Sequence, residues 1–175
     1  MPILVGVVLA TFNVLHSSVQ AEVNVGDKLP AFSLPGSDGI TYESDAIVGK
    51  QAMVIAWFPR AFTGGCTKEC KALREQGAEI KAFDVAYFTA SCDPPQKNME
   101  FAQSLELDYP ILSDPERGLA EALGCLSPRG NANRWTYFVG KDGTVLHIDK
   151  SVKVAQHGSS IAAKLKELGV DAKNE

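Results

Sequence analysis

The chain is short of what several function classes need. Its 175 residues include three histidines and two tryptophans, carry a net charge of −4, and contain no Lys/Arg cluster longer than a scattered pair. Without a basic patch, nucleic acid is excluded as the main partner. Cys-x-x-Cys is absent, and Gly64-Gly65-Cys66-Thr67-Lys68 lacks the Lys and hydroxyl order of a phosphate loop. His147 and His157 have no paired carboxylate or second cysteine motif, so no metal site is expected. Internal repeats and low-complexity tracts are missing as well.

Charge is missing altogether from Met1 to Ala21, where an apolar run from Ile3 to Leu15 ends in Ser17-Ser18-Val19-Gln20-Ala21. The run is too short to span a bilayer, and Val19 and Ala21 fit a small-residue cleavage site. This predicts a signal peptide over 1–21, a single domain over 22–175, and an exported protein, periplasmic or secreted, with no stable membrane contact after cleavage. A retained anchor and a packed N-terminal element are the alternatives; in the latter case the protein is cytoplasmic.

The whole chain is 45% apolar, and what remains after residue 21 is long enough for one substantial core. Two short strands, 31–34 and 40–43, flank the turn sequence Pro35-Gly36-Ser37-Asp38-Gly39, and Met53 to Phe58 is a continuous apolar run of buried-strand type. Further strands are expected over 85–91, 109–112, 135–139 and 144–148, the last two joined by Gly140-Lys141-Asp142-Gly143, with helices over 95–105, 115–123 and 159–168. A leading hairpin, a βαβ half and a ββα end make an α/β thioredoxin-like fold with an N-terminal β-hairpin extension, a three-layer α/β/α sandwich.

The densest chemistry lies in Pro59-Arg60-Ala61-Phe62-Thr63-Gly64-Gly65-Cys66-Thr67-Lys68-Glu69-Cys70, where the apolar strand enters a loop that opens a helix. Helix N-termini present unpaired N–H groups and partial positive charge, so a thiol there ionises more readily. Thr63 offers a hydroxyl that can donate and accept, Gly64 and Gly65 allow backbone to approach a small ligand, and Pro59 fixes the loop. Cys66, Cys70, Leu73, Gly77 and Ile80 recur at steps of four and three, forming one apolar seam along the following helix.

The set Pro59, Thr63, Cys66 resembles the P-x-x-x-T-x-x-C motif of peroxiredoxins, and 62–69 looks most like their bacterioferritin-comigratory, or Q-type, branch. The resemblance covers roughly 25–168. It implies a thioredoxin-like fold and sets Ser91-Cys92-Asp93 where such proteins carry Ser-x-Asp. It also makes Arg134 the guanidinium that reaches the catalytic sulfur, with Glu69 helping to hold it. A guanidinium stays charged at every relevant pH, and its fork can hold a thiolate and an incoming oxygen together. Arg129 is a rival for that role.

The resemblance implies a thiol peroxidase. The Cys66 thiolate would attack hydrogen peroxide or a small organic hydroperoxide, aided by Thr63, Arg134 and backbone N–H groups of Gly65 and Cys66, and become a sulfenic acid. A second thiol would then form a disulfide, and a thioredoxin-like dithiol protein would regenerate the enzyme, with no metal or organic cofactor. Cys70 is the first candidate for that thiol and Cys125 the second, while Cys92 reads as a small core residue. Cys70 stands four residues after Cys66 where the branch has five, and Gly64 replaces a common Pro. Four helical residues rise about 6 Å, within disulfide range, but the Cβ vectors do not converge, so a Cys66–Cys70 bond needs an unwound first turn. A monomer or weak homodimer is expected. A thioredoxin-like thiol-disulfide oxidoreductase and a non-enzymatic redox sensor are the alternatives.

Overall fold

The computed structural model describes residues 22–173; the expected signal segment lies outside the described residues. The chain runs β1 (Ser33–Pro35), β2 (Thr41–Glu43), α1 (Ser44–Ile47), β3 (Ala52–Trp57), α2 (Gly64–Glu75), α3 (Gly77–Lys81), β4 (Val85–Ser91), α4 (Pro95–Ser104), β5 (Ile111–Ser113), α5 (Gly118–Ala122), β6 (Thr136–Val139), β7 (Val145–Asp149) and α6 (His157–Glu167). β1 and β2 form the leading antiparallel hairpin. The main sheet has the order β5-β4-β3-β6-β7, with β3, β4 and β5 parallel and β6 and β7 antiparallel. Helices cover both faces, which is the thioredoxin-like sandwich.

β3 explains why the sheet is centred where it is. All six of its residues are buried, because a strand covered on both faces has no solvent side to make polar. Val54 and Ala56 pack with Leu73 of α2, Ile80 of α3 and Ile161 of α6. Met53, Ile55 and Trp57 point the other way, toward Leu119 and Ala120 of α5 and toward Cys125 and Tyr137. Truncating Trp57, which has no exposed surface, would cost about 3–5 kcal/mol.

Three expected elements are corrected. The short strand starts at Ile111 rather than Tyr109, since Pro110 has no N–H for a ladder; Tyr109 turns instead to α2 and donates its hydroxyl to the Cys70 carbonyl at 2.9 Å. The helix expected over 115–123 begins only at Gly118. Arg117 sits in the left-handed region at φ 63, and the Asp114 carboxylate caps the turn by accepting the Ala120 N–H at 2.8 Å. The seam from Cys66 to Ile80 is buried throughout, but Gln76 (φ −101, ψ 2) divides it into α2 and α3.

Candidate active site

The sheet topology places the site. β3 ends beside the end of parallel β4, so the Pro59 loop and Asp93 leave the same sheet edge. β6 runs antiparallel to β3, and Trp57 N–H donates to the Trp135 carbonyl at 2.8 Å, so the residue entering β6, Arg134, reaches that edge too. Side chains distant in sequence thus converge on the opening of α2.

Cys66 is the third residue of α2 and is 1% exposed. Arg134 Nη2 donates to its Sγ at 3.5 Å, and Nη1 of the same guanidinium pairs with Glu69 Oε2. Glu69 is one helical turn beyond Cys66 and has no exposed surface. A carboxylate so buried is stable only when paired. Arg134 therefore bridges thiol and carboxylate, the expected grouping of Cys66, Glu69 and Arg134. Arg129 is exposed on a hollow of about 360 Å³ that Pro59, Asn133 and Arg134 also line. The guanidinium on the sulfur is that of Arg134.

The two glycines differ. A Cβ on Gly65 would lie 3.3 Å from Arg134 Nη2, so the bare backbone makes room for the guanidinium, whereas nothing stands within 4 Å of such an atom on Gly64. Only the first is crowded by a neighbouring side chain. Thr63 caps α2 through its backbone, and its exposed hydroxyl donates to the Arg60 carbonyl at 2.9 Å. With its proton so used, its lone pairs are left to accept from a ligand. Phe62, 53% exposed, is held at φ 64 with its ring 5.0 Å from Phe101, a strained conformation for a bulky residue.

Asp93 pins this loop from below. Its buried carboxylate accepts the Ala61 N–H at 2.8 Å and pairs with Lys97 on α4. The Ser-x-Asp likeness marked the segment but not this function.

The four thiols are unbonded and fall into two groups. Cys66 and Cys70 share an apolar cluster with Phe58, Phe101 and Leu105. Burial pushes the Cys70 thiol up to about 12. Cys125 belongs to the other cluster, with Trp57 and Tyr137, and Cys92 packs against it. Burial raises both, Cys92 to about 11, and the nearby Asp114 adds to the effect. The fold brings neither to Cys66.

What the sequence did not reveal is the far side of Glu69. His157 Nδ1 stands 3.0 Å from Glu69 Oε1, and His157 Nε2 stands 2.8 Å from Thr136 Oγ1, all in the buried interior. Nothing local marks His157, whose partners come from α2 and β6.

Residues 25–148 match the AhpC/TSA family. Peroxiredoxin bcp1 of Schizosaccharomyces pombe is 30% identical over 138 residues, an alignment spanning 79% of this chain and 71% of that one. Peroxiredoxin Bcp of Escherichia coli is 28% identical over 152 residues, spanning 83% and 97%. Among solved structures, peroxidoxin BcpB of Mycobacterium tuberculosis superposes with a TM-score of 0.74 at 27% identity, covering 82% of this chain and 96% of that one.

Proposed function

Because the chain belongs to the AhpC/TSA family, as a bacterioferritin-comigratory-type peroxiredoxin and hence a thiol peroxidase with an antioxidant role, we propose that Cys66 is its peroxide-reducing residue. The contact between Arg134 Nη2 and Cys66 Sγ at 3.5 Å supports this most directly. A fixed cation beside the sulfur stabilises a thiolate and meets the charge that develops on the substrate.

In the proposed reaction the Cys66 thiolate attacks one peroxide oxygen in line. The S–O bond forms as the O–O bond breaks, sulfur is oxidised to the sulfenic acid, and the departing oxygen takes a proton to leave as water or an alcohol. Thr63 Oγ1 accepts from the peroxide O–H, Arg134 donates to the developing negative charge, and Gly65 and Cys66 add backbone N–H groups. Pro59 shapes the loop, and Glu69 keeps Arg134 in place. Cys70 then attacks the sulfenic sulfur, water leaves, and a thioredoxin-like dithiol protein reduces the disulfide. Cys70 is a poor nucleophile while buried, so this step requires the first turn of α2 to open. We further propose export directed by residues 1–21, checked by the N-terminus of the mature protein.

Trapping the sulfenic acid with a dimedone probe, followed by peptide mapping, tests the assignment. One equivalent of hydrogen peroxide should label Cys66 in Cys70→Ser; label on Cys92 or Cys125 alone would refute it.

A further inference from the structure

The carboxylate that holds Arg134 has a second partner. Both carboxylate oxygens of Glu69, Arg134 Nη1 and His157 Nδ1 are fully buried, none makes a hydrogen bond of standard geometry, and the polar atoms nearest to them are one another. They can be satisfied only by one another: Arg134 faces Glu69 Oε2, and His157 Nδ1 stands 3.0 Å from Oε1. On the other side of the ring, Thr136 Oγ1 lies 2.8 Å from Nε2. One proton arrangement fits every atom of a neutral ring: the Thr136 hydroxyl donates to Nε2, and Nδ1–H faces the Glu69 carboxylate.

The start of α6 is anchored so that the ring can do this. Gln76, at the end of α2, donates from Nε2 to the Ala155 carbonyl at 3.0 Å and accepts the Ser159 N–H on Oε1 at 2.9 Å. Gly158 permits the approach, since a Cβ there would lie 2.5 Å from Gln76 Cβ and 3.3 Å from the Ala72 carbonyl. The helix start is thus latched onto α2 by hydrogen bonds two residues to either side of the ring.

We infer that His157 is a positioning residue for the peroxide reaction, its neutral Nδ1–H fixing the Glu69 carboxylate so that Glu69 holds Arg134 on Cys66. The charged and titratable groups around the ring come from every packed element: Glu69 from α2, Arg134 from the strand entering β6, His147 and Asp149 from β7, and Lys164 from α6 itself. Loss of hydration is the largest effect and favours the uncharged ring; the Arg134 charge acts in the same direction and Asp149 against it. The inference rests on Cys66 and Arg134 acting as proposed above.

Two measurements on the full chain test it. Long-range ¹H–¹⁵N NMR at pH 7 should show His157 neutral and protonated on Nδ1; an imidazolium, or the Nε2–H tautomer, would overturn the inference without touching the role of Cys66. Stopped-flow oxidation of Cys66 by hydrogen peroxide should slow about 10- to 100-fold in His157→Leu, the range expected for one hydrogen bond to a charged group. His157→Asn, which keeps an N–H donor near Nδ1, should recover most of the rate. In an Arg134→Ala background His157→Leu should cost nothing further, because the residue acts through the guanidinium. Equal slowing in both backgrounds, or no recovery in His157→Asn, would overturn it. Should His157→Leu fail to fold, Thr136→Val replaces it in the cycle; it removes the hydroxyl that holds Nε2 and should slow oxidation only where Arg134 is present. An Arg134→Ala enzyme as fast as the parent would instead refute the site assignment itself.

Discussion

The protein has two pairs of neighbouring cysteines on different sides of its central strand, and although Cys66, Cys70 and Cys125 are buried and Cys92 half-buried, the pairs differ in what surrounds them. Cys66 and Cys70 lie at the start of α2, where a guanidinium touches one sulfur and the loop before it is strained. Cys92 and Cys125 pack around Trp57 and Tyr137, where Asp114 faces them and burial raises both thiols. Apolar packing by itself makes a thiol inert; a fixed cation and free backbone N–H groups make it a nucleophile. The number of cysteines teaches little, and the charges placed around each one teach nearly everything.

The sharpest way to break this contrast is by substitution. Cys66→Ser should abolish peroxide consumption while the protein stays folded. The Cys92→Ser/Cys125→Ser double variant should keep the peroxide rate and lose only stability, about 1–3 kcal/mol for the buried hydroxyl at 125 and less at the half-buried position 92. A double variant that stops consuming peroxide would erase the distinction.

Removing the cation should move the first pair toward the second. Arg134→Ala is expected to slow stopped-flow oxidation about 100- to 1,000-fold, the usual loss for one transition-state donor. Arg129→Ala should change it little. The opposite ranking would give the role to Arg129.

Resolution should be confined to one side of the strand. Peroxide-treated protein should carry a Cys66–Cys70 disulfide, with faster hydrogen exchange limited to residues 63–72. A mapped peptide linking Cys66 to Cys125 would refute this. Cys70→Ser should stall as the sulfenic acid and overoxidise under excess peroxide.

The smallest effect concerns pH. Burial lowers His157 from 6.5 to about 4 in the folded state. Between those values the unfolded chain binds more protons than the folded one, so stability rises with pH through that window. The contribution is complete above about pH 6.5 and is lost as pH falls toward about 4. It amounts to at most about 3 kcal/mol. Urea titrations at pH 7 and pH 4.5 should show a loss that His157→Asn largely removes, and identical losses in both proteins would contradict it.

The local patterns proved readable where a residue's role depends on its chain neighbours. The apolar run 53–58 could only be a strand buried on both faces, and β3 is that strand, one residue earlier at each end. The Pro/Gly loop before Cys66 could only open a helix, which begins at Gly64. Hairpins at 33–43 and 136–149 followed from their turn residues. Boundaries slipped where a side chain's hydrogen bonds overrode the local pattern, as Asp114 does at α5 and Gln76, reaching to Ser159, between α2 and α3.

By itself, then, the sequence determined the sandwich, the thiol at a helix start and, through family likeness, the arginine that faces it. Tertiary structure alone decided that Gly65 is bare because Arg134 passes over it, that Cys125 lies across the sheet from Cys66, and that Glu69 is shared by Arg134 and His157. The reason is physical. Periodicity and turn chemistry act over a few residues and leave a trace in the order of the chain. A buried carboxylate takes its partners from whichever elements the sheet topology sets beside it, and that pairing leaves no local trace in the sequence.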